Sequence, residues 1–138
     1  MLTLQLTSLS FLLIVIYSYL KGQFVMTLLL SYLTLTSIIY HSIPSMFTLF
    51  IDLFGVASVI TYGLTNLVYV PLTHFIGSIF TFISVILVYG FSKKLEWDGN
   101  KILSEKYHAI LHLIGIFGLF IFIRGYDIYS SVKIYNKN

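Results

Sequence analysis

The segment YHAILHLIGIFGLFIFIR, from Tyr107 to Arg124, is a long apolar run that contains two histidines. As a helix, it is long enough to cross the hydrocarbon core of a bilayer, which needs about 17 to 25 residues. His108 and His112 are four positions apart, so they lie on one face of that helix, about 6 Å or one turn from each other. Two imidazoles at this spacing can bind one metal ion. The segment therefore predicts a transmembrane helix that carries part of a metal site.

The composition of the whole chain is typical of a membrane protein. Of its 138 residues, 58% are hydrophobic and only 9% are charged, which is too few charges for a soluble surface. Nearly all charges lie outside the apolar runs, at Lys21, from Lys93 to Lys106, and from Arg124 onward. The net charge of +3 is therefore juxtamembrane and gives no argument for nucleic-acid binding. We predict an integral membrane protein in contact with membrane lipid.

The chain contains no cysteine, which excludes disulfides, thiolate metal ligands and cysteine nucleophiles. Any metal would have to be held by histidine, aspartate and water. The N-terminal apolar run has no basic n-region and no small-residue cleavage site before Lys21, so we interpret it as a membrane span and not as a signal peptide.

The apolar runs predict a single all-α transmembrane helix bundle, residues 1–138, with about five spans. The spans are expected at about residues 2–20, 24–42, 46–64, 67–91 and 107–123. A polar loop is expected at residues 92–106 and a short polar tail at residues 124–138. The fourth span contains Pro71, and one long tilted or kinked helix is its simplest interpretation. A re-entrant segment followed by a shorter span is the alternative.

Five spans would bring five polar residues to the same leaflet. They are Ser37, His41, Asp52, His108 and His112. His41 lies at the end of the second span, and Asp52, the only carboxylate in an apolar span, lies about two turns into the third. The fourth span returns the chain to that same face, where the histidine pair begins the fifth. His74 lies near the start of the fourth span, close to the opposite face, and is excluded from the site.

An ionisable group in hydrocarbon costs about 3 kcal/mol or more, so Asp52 needs a partner or a cavity. The pattern predicts a metal held by His41, His108 and His112, with water as the fourth ligand. Asp52 would be an acceptor or general base for that water, and Ser37 would hydrogen-bond the water or a substrate oxygen. The alternative is that each polar side chain is satisfied by a neighbouring helix, as single membrane histidines and serines often are.

These residues resemble the motif of a superfamily that includes alkaline ceramidases, adiponectin/progestin receptors, haemolysin III proteins and myomaker-like proteins. Its members carry SxxxH late in the second core helix, aspartate in the next helix and HxxxH in the last. Here the matching segments are Ser37-Ile-Ile-Tyr-His41, Asp52 in FIDLFGVAS, and His108-Ala-Ile-Leu-His112.

The resemblance implies that the three histidines bind Zn²⁺ and that Asp52 and Ser37 are catalytic residues around a metal-activated water. The implied reaction is hydrolysis of a lipid amide such as ceramide. The superfamily has seven core spans, whereas about five are predicted here, as though two between Asp52 and His108 were missing.

A non-catalytic function stays open, as a hydrophobic subunit of a larger membrane complex such as an organelle-encoded respiratory-chain complex. An excess of Phe, Tyr, Ile and Leu without cysteine is common in AT-rich organellar or viral genes, for example those of mitochondria. A receptor or channel has less support, because the sequence has no ring of acidic residues and no large extramembrane domain. Lysine and arginine number four on each side of the predicted bundle, so orientation is not determined. An organellar inner membrane and an endomembrane are both compatible with the sequence.

Overall fold

Helices account for nearly all of the structure, a computed structural model that describes the backbone of residues 2–135 and the side chains of residues 3–133. No strand occurs within residues 2–135. The helices are α1 (Leu2–Leu9), α2 (Phe11–Leu20), α3 (Phe24–Ser42), α4 (Met46–Asn66), α5 (Leu72–Trp97) and α6 (Lys101–Tyr135), with a 3₁₀ turn at Leu67–Tyr69.

Five helical segments in the described part of the chain are long and apolar enough to cross a membrane. They are Thr3–Leu20, Phe24–Ser42, Met46–Tyr69, Leu72–Trp97 and Lys101–Lys133. α1 and α2 form one of these segments, because Ser10 between them keeps helical backbone angles, with φ −62° and ψ −20°. The predicted all-α, multi-pass membrane fold is confirmed.

The helices extend beyond the predicted spans at the polar segments. The expected loop at residues 92–106 is helical except at Asp98–Asn100, where Gly99 adopts the left-handed φ of 80° that ends α5. The expected polar tail is helical from residue 124 to Tyr135, and residues 136–138 lie outside the described part. The length of an apolar run indicates only how much of a helix lies in the hydrocarbon core. Lysine, glutamate and leucine favour helix strongly enough to continue it into the interface.

Pro71 starts the fourth transmembrane helix and does not kink it. The 3₁₀ turn Leu67–Tyr69 closes α4, Pro71 follows with extended angles of φ −55° and ψ 147°, and α5 then runs without a break to Trp97. A proline is tolerated before the first helical turn, where its missing amide hydrogen would have no intrahelical acceptor. One long helix is therefore observed, as the simpler interpretation predicted, but it begins at Leu72 and not at residue 67.

The helices are arranged as an open arc. α3 packs on α4 and on the first span, and α6 packs on the first span and on α5. α4 and α5 are consecutive in the chain, yet they make almost no direct contact and stand at the two ends of the arc. A cavity lies inside the arc, with α4 on one side and α5 and α6 on the other.

Two glycines of α6 allow α5 to approach closely. A Cβ atom at Gly118 would lie 2.5 Å from Thr81 Oγ1, and a Cβ at Gly125 would overlap Val70 and His74. Small residues at helix contacts are common in membranes, where close van der Waals packing drives helix association. This contact fixes the position of α6, which carries the histidine pair, relative to α5.

The end of the bundle opposite the histidine pair is held by polar contacts. Lys21 Nζ lies 2.8 Å from Asp127 Oδ2, joining the end of α2 to α6. The hydrogen bond from Lys21 to Asp127, and then the charge of that carboxylate, raise the pKa of Lys21. Next to this ion pair, Gln23 Nε2 donates to the carbonyl of Ile123 at 2.9 Å. These contacts set the depth of the first span against α6.

Candidate metal centre

Three histidines from two helices meet beside the cavity, and two of them, His108 and His112, line it. His41, His108 and His112 each offer a ring nitrogen, and these nitrogens all lie within 4.8 Å of one another. The ring centroids are 5.2 Å apart for His41 and His108, 5.4 Å for His41 and His112, and 5.0 Å for His108 and His112. His41 and His112 are buried, and His108 is half-buried.

Local structure explains why the three rings converge. His108 and His112 lie one turn apart within α6, so both point to the same neighbour. His41 occupies the last turn of α3, which ends at Ser42 before the turn that contains Pro44. The first span lies between α3 and α6 and packs on both, and this brings the end of α3 against the histidine face of α6.

A threonine of α1 fixes the ring of His112. Thr7 Oγ1 lies 3.0 Å from His112 Nδ1, and the same hydroxyl lies 3.1 Å from the carbonyl oxygens of Thr3 and Leu4. When the single hydroxyl hydrogen is donated to one of these carbonyls, the oxygen accepts a hydrogen bond from His112 Nδ1–H. In this tautomer, Nε2 carries the free lone pair, as a metal ligand requires.

His41 carries a buried nitrogen that has no hydrogen-bond partner within the described residues. This atom is Nε2, on the ring that faces both His108 and His112. Leaving a buried polar atom unpaired costs about 1 to 3 kcal/mol, and such atoms in native proteins usually mark an ion, a water or a catalytic function. The cluster therefore contains an unpaired ring nitrogen at the point where a metal ligand would be needed.

Ser37 is buried one turn before His41, and its hydroxyl lies 3.0 Å from Ser8 Oγ. Ser8 already donates to the carbonyl of Leu4 at 2.8 Å, so Ser37 is the donor in this pair. The lone pairs of Ser37 remain available, and its side chain lines the cavity. Ser37 is thus placed to accept a hydrogen bond from a molecule in the cavity.

Asp52 also lines the cavity, on the α4 side. A capping box at the start of α4 sets its position: Ser45 Oγ accepts from Thr48 N at 3.1 Å, and Thr48 Oγ1 accepts from Ser45 N at 2.9 Å. Thr36 Oγ1 lies 3.3 Å from Asp52 Oδ1 and 3.1 Å from the carbonyl oxygen of Leu33, so its one hydrogen is shared between the two. Among the described residues, no hydrogen bond joins Asp52 to the three histidines. The structure thus brings all five predicted residues to one end of the bundle but leaves this carboxylate across the cavity from the imidazoles.

The cavity is about 400 Å³ in volume and mostly apolar. Along α5 it is lined from Ser78 to Lys93, which spans about 22 Å at 1.5 Å per residue. This length exceeds half of the roughly 30 Å hydrocarbon core, which is the depth of one leaflet. The gap between α4 and α5 leaves the cavity open on one side, where membrane lipid would contact it.

Two residues that support the site were not among the sequence candidates. Thr7 and Ser8 of α1 contact His112 and Ser37, and both lie in an apolar run where hydroxyls usually bond only to their own helix. Their depth in the membrane was a signal that could have identified them. Two successive spans return the chain to its starting face, so Thr7 and Ser8 lie at the level of the end of the second span. His74, which the sequence analysis excluded from the site, lies beside Gly125 toward the other end of the bundle. Its Nδ1 lies 3.2 Å from Thr73 Oγ1.

No family model, curated protein or solved structure matches the chain. The resemblance to the ceramidase-type superfamily therefore depends on the motif residues alone.

Proposed function

We propose that the chain is a zinc-dependent membrane hydrolase that cleaves a lipid amide, in the manner of the alkaline ceramidases whose motif its residues resemble. The observation that carries the proposal is the meeting of three imidazoles, two of which, His108 and His112, line an apolar cavity that is open on one side. Asp52 and Ser37 line the same cavity.

The donor set suits Zn²⁺. Zinc is held by neutral imidazole nitrogens at 2.0 to 2.1 Å, which in a tetrahedral site places the nitrogens about 3.3 Å apart. The nitrogens of His41, His108 and His112 lie within 4.8 Å of one another, so the rings would have to move closer together to bind one ion. The unpaired Nε2 of His41 and the Thr7 hydrogen bond to His112 favour the same interpretation, because metal-binding histidines commonly donate their second nitrogen to a nearby acceptor.

Bound zinc would act as a Lewis acid that makes water nucleophilic at neutral pH and polarises the amide carbonyl. Asp52 would take a proton from the attacking water and return it to the leaving nitrogen. Ser37 accepts a hydrogen bond from the water and holds it beside the carbonyl carbon. The carbon–nitrogen bond breaks, a carbon–oxygen bond forms, and the amide plus water yield a carboxylic acid and an amine. Thr36 keeps Asp52 in place through Oδ1, which leaves Oδ2 for the proton.

The cost of placing a carboxylate in a membrane span supports a chemical function for Asp52. Thr36 supplies one neutral hydrogen bond at 3.3 Å, which is long for a hydroxyl donor and far from what a carboxylate needs in hydrocarbon. A carboxylate kept in this position with so little compensation is typical of functional sites in membrane proteins.

The alternative is a non-catalytic subunit of a larger membrane complex, for instance an organelle-encoded respiratory-chain subunit. The observation that favours it is the sparse contact between α4 and α5, because a helix of a neighbouring protein could close the arc. An organellar inner membrane would fit this function, and an endomembrane would fit a ceramidase-type enzyme.

The deciding experiment is elemental analysis of the purified protein, followed by an assay of fatty-acid release from ceramide and related N-acyl lipids. We expect one zinc per chain and a hydrolysis rate that a chelator removes and added zinc restores. Zinc without hydrolysis of any N-acyl lipid would favour the subunit. A chain with neither zinc nor activity would overturn the proposal.

A further inference from the structure

The mouth of the cavity carries one strong cation. Among the described residues that line the cavity, Lys93 is the only lysine or arginine. Tyr40 and Tyr89 line the cavity together with it. Tyr89, one turn before Lys93 on α5, has its ring centroid 6.4 Å from that of His108. The cation therefore stands beside the histidine cluster, where the apolar cavity becomes polar.

The position of Lys93 relative to the histidines is fixed by a contact between α5 and α6. Ser92 is buried, and its Oγ donates to the carbonyl of Ser104 at 3.0 Å. Ser104 lies one turn before His108 on α6, so the neighbour of Ser92 is held about one turn from the level of the first histidine. Lys93 is thus a built part of the mouth and not a residue of a mobile loop.

The present partner of Lys93 can be exchanged. Lys93 Nζ lies 2.7 Å from Glu96 Oε2, and the two side chains are 36% and 50% exposed. Exposed ion pairs of this kind contribute little, about 0 to 1 kcal/mol, because water competes with them. Glu96 does not line the cavity, so the ammonium is shared between an external carboxylate and the cavity mouth. An anionic group arriving from inside the cavity would find a cation whose existing bond is weak.

Resting on the function proposed above, we propose that Lys93 is the specificity-determining residue for the headgroup. It recognises amphiphiles that carry a carboxylate or phosphate a few bonds from the amide. The acyl chain lies along the apolar cavity, the amide faces the histidine cluster, and the anionic group of the amine half pairs with Lys93. An N-acyl amino acid has this arrangement, whereas a neutral N-acyl alcohol amide leaves the ammonium with Glu96 alone.

The first test is binding, which needs no turnover. Radiolabelled N-oleoylglycine and N-oleoylethanolamine, equal in acyl chain and different in headgroup charge, are titrated against the purified protein in neutral detergent. We expect the carboxylate ligand to bind about tenfold more tightly, since a charge-assisted hydrogen bond contributes about 1.5 kcal/mol. Lys93→Gln should remove this ratio, and Glu96→Gln should increase it by freeing the ammonium.

Lys94→Gln is the matched control, since Lys94 is exposed, adjacent and outside the cavity lining. It should keep the binding ratio of the natural chain. An equal ratio in the Lys93→Gln and Lys94→Gln proteins would overturn the inference. An alkyl phosphate such as oleyl phosphate, compared with oleyl alcohol, then shows whether carboxylate or phosphate is preferred.

The second test separates this inference from the proposed hydrolysis. With zinc-loaded protein, the ratio of kcat/KM for N-oleoylglycine over N-oleoylethanolamine should fall about tenfold in Lys93→Gln. Hydrolysis of both lipids with an unchanged ratio would sink the headgroup assignment and leave the hydrolase intact. Selective binding without any hydrolysis would sink the hydrolase and leave the headgroup assignment standing.

Discussion

Thr7 Oγ1 lies 3.0 Å from Nδ1 of His112, although the two residues are 105 positions apart in the chain. This contact holds the ring, and with Nδ1–H donated to the hydroxyl, Nε2 would carry the lone pair that a metal needs. The first span is therefore part of the candidate metal centre, and not only a support for it.

Replacing Thr7 with valine tests this relationship, because valine keeps the shape and removes the acceptor. We expect the dissociation constant for zinc to rise by about 10- to 100-fold, as is usual when a hydrogen bond to a ligating histidine is lost. Thr3→Val, one turn earlier and exposed, is the matched control. Competition with a fluorescent zinc chelator measures the affinity. Equal affinities for the two variants would mean that Thr7 does not orient the ligand.

Replacing His112 with alanine should abolish stoichiometric zinc. Two imidazoles and water bind far more weakly than three imidazoles, so we expect less than about a tenth of a zinc per chain after dialysis. His74→Ala removes a histidine at a distance from the cluster and should retain full zinc. Elemental analysis of protein that elutes as a single species gives both values. Full zinc in the His112 variant would exclude this residue as a ligand.

Replacing Asp52 with asparagine should separate metal binding from chemistry. The amide keeps the size of the side chain and can still bond to Thr36, but it cannot take a proton from water. We expect zinc content to stay near one per chain and kcat for lipid amide hydrolysis to fall about a hundredfold or more. Asp98→Asn, in the turn between α5 and α6, is the control for loss of a carboxylate. Normal turnover in the Asp52 variant would remove it from the mechanism.

Replacing Gly118 with alanine should destabilise the bundle through the α5–α6 contact. The new Cβ would lie 2.5 Å from Thr81 Oγ1 and 2.9 Å from Thr81 Cβ, so the helices must separate. Overpacking of this kind costs about 1 to 3 kcal/mol. Gly90→Ala, whose Cβ meets nothing within 4 Å, should leave stability unchanged or slightly raised. Unfolding in detergent compares the two, and equal stabilities would show that the close contact does not limit the fold.

Much of the fold follows from the sequence because bilayer thickness constrains helix length. The number of spans and the single long fourth helix were predicted correctly, although that helix begins at Leu72 and not at residue 67. The helix ends at residues 92–106 were not, since hydropathy reports where hydrocarbon ends and carries no information on where backbone hydrogen bonding stops. The two glycine contacts of α6 were not predicted either, because the sequence does not show which residue a glycine in an apolar run will contact.

The candidate site was partly readable for a different reason. Counting spans gives depth, and depth alone brought His41 to the level of His108 and His112. Rotation of each helix about its own axis is set by packing, so the sequence did not reveal that Asp52 lies across the cavity from the imidazoles. The contacts of Thr7 and Ser8 depend on the same rotation. The depth of a residue follows from its position along one helix, whereas the direction that its side chain faces depends on how two helices pack together.

Because α4 and α5 make almost no direct contact, the cavity is open on one side, and ligand affinity has to be judged against the lipids of the membrane. In a bilayer, the molecules that reach such a gap are both solvent and candidate ligands, so occupancy depends on mole fraction in the leaflet and not on aqueous concentration. A dissociation constant in the millimolar range, which would be too weak for a dissolved metabolite, is then sufficient to keep the cavity occupied. Selectivity has to come from discrimination among abundant, closely related neighbours, and the acyl composition of the surrounding membrane becomes a variable of the reaction itself.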